Sequence, residues 1–440
     1  MTKKKHIKET TLLALPIVAT QIGHVFTGMA DNFFLGQIGK TELAAGVFST
    51  GIFVLLLVFC IGMSFASTPL VSSAYIKGDI ERKALLFKNA LVLNLMVSTA
   101  AFLILFFLSP LMVYMGQPED VVELAKPFFN VLVFSMIPVS FFFTCKQFAE
   151  GLSNTRAAMY ISIIGNLLNI VLNYCLINGK LGLPAIGYMG AAWATFIARC
   201  FMGGAFLWFI FVNPKTNDIK AFFSKVKVGG EALRSLWKIG INTGMQFTFE
   251  VAAFVIALFM AGTFGKEQID AHGIAIALAS FTYMFATGIA SASTIRVSSF
   301  AAKQNKQELK RAGNIAVMLV LFCMGFFALM FVLFSKWLPT LFTRDEAIIE
   351  LSSSLLLIAA VFQLFDGLQV TSIGILRGME DVKFPTYVTL IGYWILALPL
   401  AYFLGFTCKL EVIGIWWALT FSLVFVGVML YWRFTKLTKK

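Results

Sequence analysis

Residues 243–262 read TGMQFTFEVAAFVIALFMAG, an apolar run that contains a single charged side chain, Glu250. A bilayer's hydrocarbon core, about 30 Å thick, is crossed by about 20 helical residues, so this run is long enough to span it. A charge near the bilayer centre costs roughly 2.5–3.5 kcal/mol on insertion scales and usually lines an ion or substrate path. Asp31 and Asp366 lie in similar apolar stretches. The three acids therefore predict a membrane-embedded path for ions or substrates.

The whole chain has the composition of a polytopic membrane protein. Its 440 residues are 59% hydrophobic and 13% charged, with a mean hydropathy of +0.85. Apolar runs of membrane length recur from end to end, which predicts an all-α membrane protein with twelve spanning helices. The predicted spans are 10–36, 46–75, 86–112, 122–149, 157–178, 186–212, 232–262, 269–297, 311–338, 347–376, 383–404 and 412–433.

The basic residues predict the orientation in the membrane. With twelve spans, 27 of the 35 Lys and Arg residues, Lys215 and Lys440 among them, lie at the ends and loops on one side, and 7 lie on the other. The positive-inside rule places that basic side in the cytoplasm, so both termini are expected there, in a plasma (inner) membrane protein. The net charge of +13 is spread over the loops without a single stripe. It therefore indicates topology, and no nucleic-acid partner is expected.

The two halves of the sequence resemble each other at an offset near 226 residues. Gly39-Lys40 recurs as Gly265-Lys266, and Ser67-Thr68 recurs as Ser293-Thr294. Because each half holds six helices, the halves are expected to be parallel repeats that form two lobes with a central cavity between them. The predicted organisation is an N-lobe (1–212), a cytoplasmic connecting loop (213–231) and a C-lobe (232–440). This plan is typical of transporters, although a duplication on its own can simply record ancestry.

Each acid lies on a polar stripe at helical spacing. Such a face is expected to look into the bundle or a water-filled cavity and not at lipid. The acids act there either as coupling sites for an ion or as hydrogen-bonded interior groups. Only Arg199 is placed deep in a span to balance them. The stripes are Thr20, His24, Thr27 and Asp31; Thr243, Gln246 and Glu250; Gln363, Asp366 and Gln369; and Asn166, Asn169 and Asn173.

Residues near the two C-terminal acids are candidates for a substrate cavity. Aromatic rings beside the acids can form a wall for a lipophilic cation, or they can simply pack. No enzyme chemistry, cofactor or metal centre is expected, because the six Cys and three His show no ligand spacing. The cavity candidates are Phe247, Gln246, Phe362, Gln363 and Gln369.

Several motifs resemble those of multidrug and toxic compound extrusion (MATE) transporters of the NorM type. The similarity covers nearly the whole chain. The pair Glu250 and Asp366 makes it NorM-like. The motifs are Gln21-x8-Ala30-Asp31-x4-Gly36-x2-Gly39, Phe249-Glu250-Val251 with Ala271-His272, Gln363-x2-Asp366-x2-Gln369 with Leu376-Arg377-Gly378, and Tyr393-Trp394 with Leu398-Pro399.

The resemblance implies two cation sites. Glu250 and Asp366, with Tyr283, would form the C-lobe site. The N-lobe site would consist of Asp31, Asn169, Asn173 and Thr195. A tyrosine often found four residues before the tenth-helix acid is Phe362 here, which removes an oxygen donor and leaves the ligand set open.

The expected function is export of cationic amphipathic drugs in exchange for Na⁺ or H⁺, by alternating access of a protein that works as a monomer. Two other functions were weighed. A lipid-linked oligosaccharide flippase would need several basic residues for an anionic headgroup. An intramembrane aspartyl protease would need two Asp residues that meet, but the GxGD context is absent around Asp366.

Overall fold

The protein is described by a computed structural model that covers residues 1–213 and 216–439. Within these residues, twelve helices are long and apolar enough to cross a membrane, which confirms the predicted all-α class and the number of spans. Lys215 and Lys440, which entered the orientation prediction, lie outside the described part. Numbered α1 to α12 in chain order, the helices are Lys3–Ile38, Lys40–Ile76, Ile80–Met115, Glu119–Gly151, Thr155–Asn178, Met189–Val212, Gly230–Gly262, Lys266–Ala302, Lys306–Leu333, Glu346–Gly378, Lys383–Thr407 and Glu411–Lys439.

Most helices extend past the predicted apolar cores into charged sequence. A charge ends an apolar run, but it does not end a helix, because Lys and Glu are good helix formers. Helix α9 shows this at Lys306, where the Asn305 side chain caps the first turn by accepting the Glu308 backbone N–H at 3.0 Å. The same helix stops at Leu333, before the predicted end at 338, and a short 3₁₀ turn follows at Leu338–Leu341.

Some spans are not uniform α-helices. Helix α2 is interrupted between Ser64 and Ser67, and α4 is interrupted at Ser135. Helix α11 alternates α-helical turns with two π-helical segments, Ile391–Ala397 and Phe403–Thr407, in which each turn holds more residues than usual. π-Helical turns are frequent at functional sites, and α11 contributes Tyr393 to the buried acid pair.

The described chain forms two compact units. The N-terminal unit is Ala19–Gly244, and the C-terminal unit is Met1–Val18 together with Met245–Lys440. The first turns of α1 therefore belong to the C-terminal unit, while the rest of α1 belongs to the N-terminal unit. The lobe boundaries 1–212 and 232–440 came from the sequence repeat, which is a different criterion, and they stay a prediction.

Each unit has its own apolar core. In the N-terminal unit, Phe53, Phe128 and Phe129 are almost fully buried. The largest core of the C-terminal unit surrounds Trp416 and Tyr393, neither of which has an exposed surface. Each cluster draws residues from most of the helices of its own unit. Large apolar side chains are often exposed on these helices, as expected of a protein whose surface contacts lipid.

Glycine permits a close approach of α8 and α10 in the C-terminal unit. A Cβ atom added to Gly374 would lie 2.5 Å from the Ala290 carbonyl oxygen. The same two helices are joined by a hydrogen bond of 2.7 Å from the Thr294 hydroxyl to the Gly374 carbonyl oxygen. Small residues at such contacts let membrane helices approach closely and gain dispersion energy.

We expect Gly374→Ala to destabilise the protein by about 1–3 kcal/mol, the usual cost of overpacking, because the added methyl group meets backbone atoms that cannot turn aside. The measurement is the thermal unfolding of the detergent-solubilised protein. Gly325→Ala in α9 is the matched control, since a Cβ there has no neighbour within 4 Å. Equal melting temperatures for the two variants would contradict this account of the interface.

Candidate functional site

The C-terminal unit brings two acids from different helices into one buried region. Glu250 lies on α7 and is 9% exposed, and Asp366 lies on α10 and is 6% exposed. Each acid is placed by the polar stripe of its own helix, as the spacing predicted. The two carboxyl groups are close enough for their charges to repel. The structure therefore assembles an acid pair from residues 116 positions apart in the sequence.

Two polar side chains hold the Glu250 carboxyl group. The Gln369 amide nitrogen lies 3.3 Å from Glu250 Oε1 and 2.9 Å from the Tyr393 hydroxyl oxygen, and that hydroxyl lies 3.3 Å from the same Oε1. All three side chains are buried. The indole of Trp394 adds a second link between α7 and α11, because it donates to the Phe249 carbonyl at 3.2 Å. Glu250 is thus fixed by donors from α10 and α11.

No ion pair neutralises these acids. Among the described residues, the ion pairs do not include Asp31, Glu250 or Asp366. Tyr283 of α8 is near enough to interact electrostatically with both acids of the pair and with Arg377. The Arg377 guanidinium lies over the Phe247 ring, 5.9 Å from its centre. A buried acid pair of this kind needs a bound proton or cation to offset the repulsion.

The predicted cavity residues have different surroundings. Gln369 contacts Glu250 directly, as described. Gln246 donates to the Val382 carbonyl oxygen and to the Thr386 hydroxyl group at the start of α11. Phe362 is 3% exposed and packs against Phe254 and Trp416, so it belongs to the core.

Gln363 is the most unusual of these residues. Its side chain is 1% exposed, and neither its amide nitrogen nor its amide oxygen has a hydrogen-bond partner among residues 1–213 and 216–439. A buried amide group normally finds partners, because leaving one unpaired costs about 1–3 kcal/mol. Gln363 lies one turn before Asp366 on the polar stripe of α10. The substrate role predicted for this set of side chains stays a prediction.

The N-terminal unit contains a second carboxylate cluster, around Asp31 of α1. The Asn173 amide donates to Asp31 Oδ1 at 2.6 Å, and the Thr195 hydroxyl donates to Asp31 Oδ2 at 3.4 Å. Asn169 links the other two, because its amide donates to Thr195 at 3.2 Å and its carbonyl oxygen accepts from Asn173 at 3.1 Å. The four residues that the resemblance grouped are therefore in mutual contact. The Asn173 carbonyl oxygen is buried without a hydrogen-bond partner.

From the sequence, Tyr393 was identified only as part of a motif of the resemblance and had no predicted role, although its hydroxyl group is part of the Glu250 site. The hydrogen-bond partners of the Tyr393 hydroxyl come from α7 and α10, so the spacing of polar residues along α11 does not reveal them. An available signal was the Tyr393-Trp394 pair in an otherwise apolar span, since buried Tyr and Trp usually need hydrogen-bond partners.

Arg199 stays the one base predicted to lie deep in a span, but other basic residues are buried by the protein itself. Lys146 and Glu150 of α4 are 3% and 1% exposed and form an ion pair of 3.8 Å, one helical turn apart. Arg377 is also buried, at 6% exposure. The prediction placed Lys146 inside the fourth span, 122–149, but counted it with the basic residues at the end of that span and did not consider a partner for it. Arg199 itself donates to the Ser135 hydroxyl at 2.5 Å.

Twelve membrane-length helices with buried, unpaired carboxylates define a membrane transport protein. The MatE family model matches the chain twice, at residues 16–175 and 243–403, once in each half. The probable multidrug resistance protein NorM of Pseudomonas syringae pv. tomato is 32% identical over 96% of this chain and 93% of that protein. The multidrug resistance protein NorM of Vibrio cholerae is 28% identical over 98% and 96%.

Solved structures agree on the fold. The eukaryotic MATE transporter AtDTX14 superimposes with a TM-score of 0.89 at 17% identity, over 98% of this chain and 96% of that one. A mutant of the V. cholerae MATE transporter VcmN gives a TM-score of 0.90 at 16% identity, over 99% and 98%.

This chain belongs to the MatE family. The resemblance found in the sequence is thereby confirmed, and the protein is a secondary transporter and not an enzyme.

We expect Tyr393→Phe to destabilise the protein by about 1–3 kcal/mol, because removal of the hydroxyl takes a hydrogen-bond partner from two buried polar groups. Thermal unfolding in detergent measures the effect. Tyr387→Phe, on the same helix but 63% exposed, is the control and should leave the melting temperature unchanged. If both variants unfold like the wild type, the Tyr393 hydroxyl is not a structural partner of Glu250.

Proposed function

We propose that this protein exports cationic, amphipathic compounds in exchange for Na⁺ or H⁺, and that Glu250 and Asp366 bind the coupling ion. One observation carries the proposal: the two acids are buried together and take part in no ion pair among the described residues. Two neighbouring carboxylates cannot both stay ionised in such a place unless a cation joins them.

The chemistry around the pair suits either ion. Na⁺ is a hard cation that prefers oxygen ligands, as Ca²⁺ and Mg²⁺ do. Oxygen atoms are available from both carboxylates, from the Tyr393 hydroxyl and from the unpartnered amide of Gln363. A proton instead needs one carboxyl group that stays neutral beside an ionised one, and mutual repulsion favours that state. The ion drives transport only if it binds two conformations with different affinities.

We infer a second cation site at Asp31. The support is the ring of contacts among Asp31, Asn169, Asn173 and Thr195, together with the unpartnered carbonyl oxygen of Asn173. One carboxylate with amide and hydroxyl oxygen atoms is a ligand set for a monovalent cation. The same contacts also serve as interior hydrogen bonds between α1, α5 and α6, so the variants below are chosen to separate the two roles.

The drug class comes from the relatives. The proteins from P. syringae and V. cholerae are named multidrug resistance proteins, and multidrug efflux fits their close match to this chain over nearly its full length. A cationic substrate follows from the negative charge of the pair, because a drug cation and the coupling ion then compete for the same acids. Aromatic neighbours such as Phe247 and Tyr283 suit an organic cation.

We expect Glu250→Gln and Asp366→Asn to reduce ion-driven uptake of a fluorescent organic cation to background, because each change removes one of the two charges that hold the ion. The assay uses inverted membrane vesicles with Na⁺ and proton gradients imposed separately, which also identifies the coupling ion. Asp31→Asn in the same assay tests the second site. Membrane levels of each variant are measured in parallel, so that loss of expression is not mistaken for loss of coupling.

Glu350→Gln is the matched control, because Glu350 is an exposed carboxylate on α10, the helix that carries Asp366. It should transport like the wild type. Full export by both Glu250→Gln and Asp366→Asn at normal expression would refute the proposed coupling role. Failure of the wild type to take up any cation under either gradient would instead favour the rival lipid-linked oligosaccharide flippase.

We also propose that both termini face the cytoplasm in an inner membrane and that the protein works as a monomer. The excess of Lys and Arg on the side of both termini supports the orientation. Both carboxylate clusters are completed by residues of one chain, which supports the monomer. A fluorescent protein fused to the C-terminus should fold and fluoresce in cells, while an alkaline phosphatase fused there should be inactive. Light scattering of the detergent-solubilised protein measures its molecular mass, which should be that of one chain.

A further inference from the structure

A cavity opens where α1 and α9 begin, in the C-terminal unit. Its volume is about 410 Å³, within the range of roughly 300–1,000 Å³ of small-molecule sites. Both helices start at this side, so the cavity lies at one surface of the membrane region and far along the chain from Glu250 and Asp366. It is lined by Met1, Lys3, His6, Arg311, Asn314 and Ile315.

The lining is basic. Lys3 is exposed, and the Arg311 side chain keeps 49% of its surface exposed. Glu308 is the nearby acid, and its carboxylate is already shared by the His6 ring at 2.8 Å, Arg311 at 2.9 Å and the Met1 amino group at 3.0 Å. A second acid, Glu9, pairs with Arg296 at 3.2 Å behind the cavity. The bases Lys3, Arg311 and Arg296 and the Met1 amino group therefore outnumber the two acids, and the cavity favours an anion.

The wall behind the cavity is held by a hydrogen-bonded network. His6 is fully buried and uses both ring nitrogens, one toward Glu308 and one at 2.9 Å from the Arg296 guanidinium. Arg296 also donates to the Thr10 hydroxyl at 2.7 Å and to the His6 carbonyl oxygen at 2.9 Å. These contacts fix the first turns of α1 against α8 and α9. The basic side chains thus project from a preorganised frame, which lowers the entropy cost of binding.

The cavity lies at one end of an exposed apolar stripe on α9. Arg311 and Asn314 are three residues apart on α9, and the same helical stripe continues through Met318 and Phe322. Met318 is 37% exposed and Phe322 is 80% exposed, as lipid-facing side chains are in a membrane protein. Phe326 and Leu329, at 54% and 52%, extend this apolar surface further along the helix. A headgroup bound at Arg311 would have its acyl chains beside these residues.

We propose that this cavity binds the phosphate-bearing headgroup of an anionic phospholipid, with Lys3, Arg311 and Asn314 as its ligands. Basic and amide groups match a phosphodiester, since Arg forms paired charge-assisted hydrogen bonds with phosphate oxygens. Basic pockets between membrane helices at the cytoplasmic side are known to bind lipid headgroups. The apolar stripe below distinguishes this ligand from a water-soluble phosphate, which would gain nothing from it. The site is separate from the proposed cation sites and does not depend on which ion drives transport.

The test measures retention of lipid by the purified full-length protein. Native mass spectrometry follows binding of phosphatidylglycerol against phosphatidylcholine of the same acyl chains, and thermal unfolding follows stabilisation by each lipid. We expect the double variant Lys3→Gln/Arg311→Gln to lose about tenfold in phosphatidylglycerol affinity, since hydrogen bonds to charged groups contribute most of such a contact. The charge-matched control Lys266→Gln/Lys336→Gln removes two exposed bases elsewhere and should bind like the wild type.

Two further measurements make the outcome decisive. Because Arg311 also contacts Glu308, Lys3→Gln alone provides a variant that leaves the frame intact, and it should weaken phosphatidylglycerol binding in the same direction. Inorganic phosphate at millimolar concentration should neither stabilise the protein nor displace the lipid. Equal affinities for the two lipids, an unchanged affinity in both the double and the single variant, or full competition by inorganic phosphate would each overturn the proposal.

Discussion

The C-terminal unit depends on one constraint: two carboxyl groups are buried beside each other, and neither has an ion-pair partner in the described part of the chain. An apolar helix bundle solvates charge poorly, so Glu250 and Asp366 are costly to place there. Their position is maintained because Gln369 and Tyr393 supply donors to Glu250, and because close helix packing encloses the region. The cost is concentrated at the acids proposed to bind the coupling ion, where a bound proton or Na⁺ would lower it.

Burying the Asp31 carboxyl group in the N-terminal unit costs less free energy than burying the acid pair. Asp31 is half-buried and receives hydrogen bonds from two side chains, Asn173 and Thr195. An acid that already has donors can be satisfied without an ion, whereas the pair on α7 and α10 has the same number of donors, both on Glu250, for two carboxyl groups. This difference makes the C-terminal pair the stronger candidate for coupling, although the two clusters sit in equivalent halves of a duplicated sequence.

Much of this architecture could be predicted from the sequence, because it depends on local patterns. The twelve spans follow from run length, and the polar stripes follow from helical period, so Asn169 and Asn173 were grouped on one face. Tyr393 was missed because its partners come from two other helices. The attachment of His6 to Glu308 was equally out of reach, since the two residues are 302 positions apart. The buried pair Lys146 and Glu150 was within reach, because a separation of four residues is itself a helical signal.

The π-helical segment Ile391–Ala397 makes the length of α11 a determinant of its function. Tyr393 lies inside that widened turn, and each residue of a helix advances the side-chain direction by about 100° around the axis. Deleting one residue after Trp394 would restore regular winding and rotate the phenol relative to the core residues that follow the deletion. No side chain would change in kind, yet Glu250 would lose a donor. Insertions and deletions in this segment are therefore more damaging than most point substitutions, and sequence alignments that place gaps there misassign the residue facing the acid.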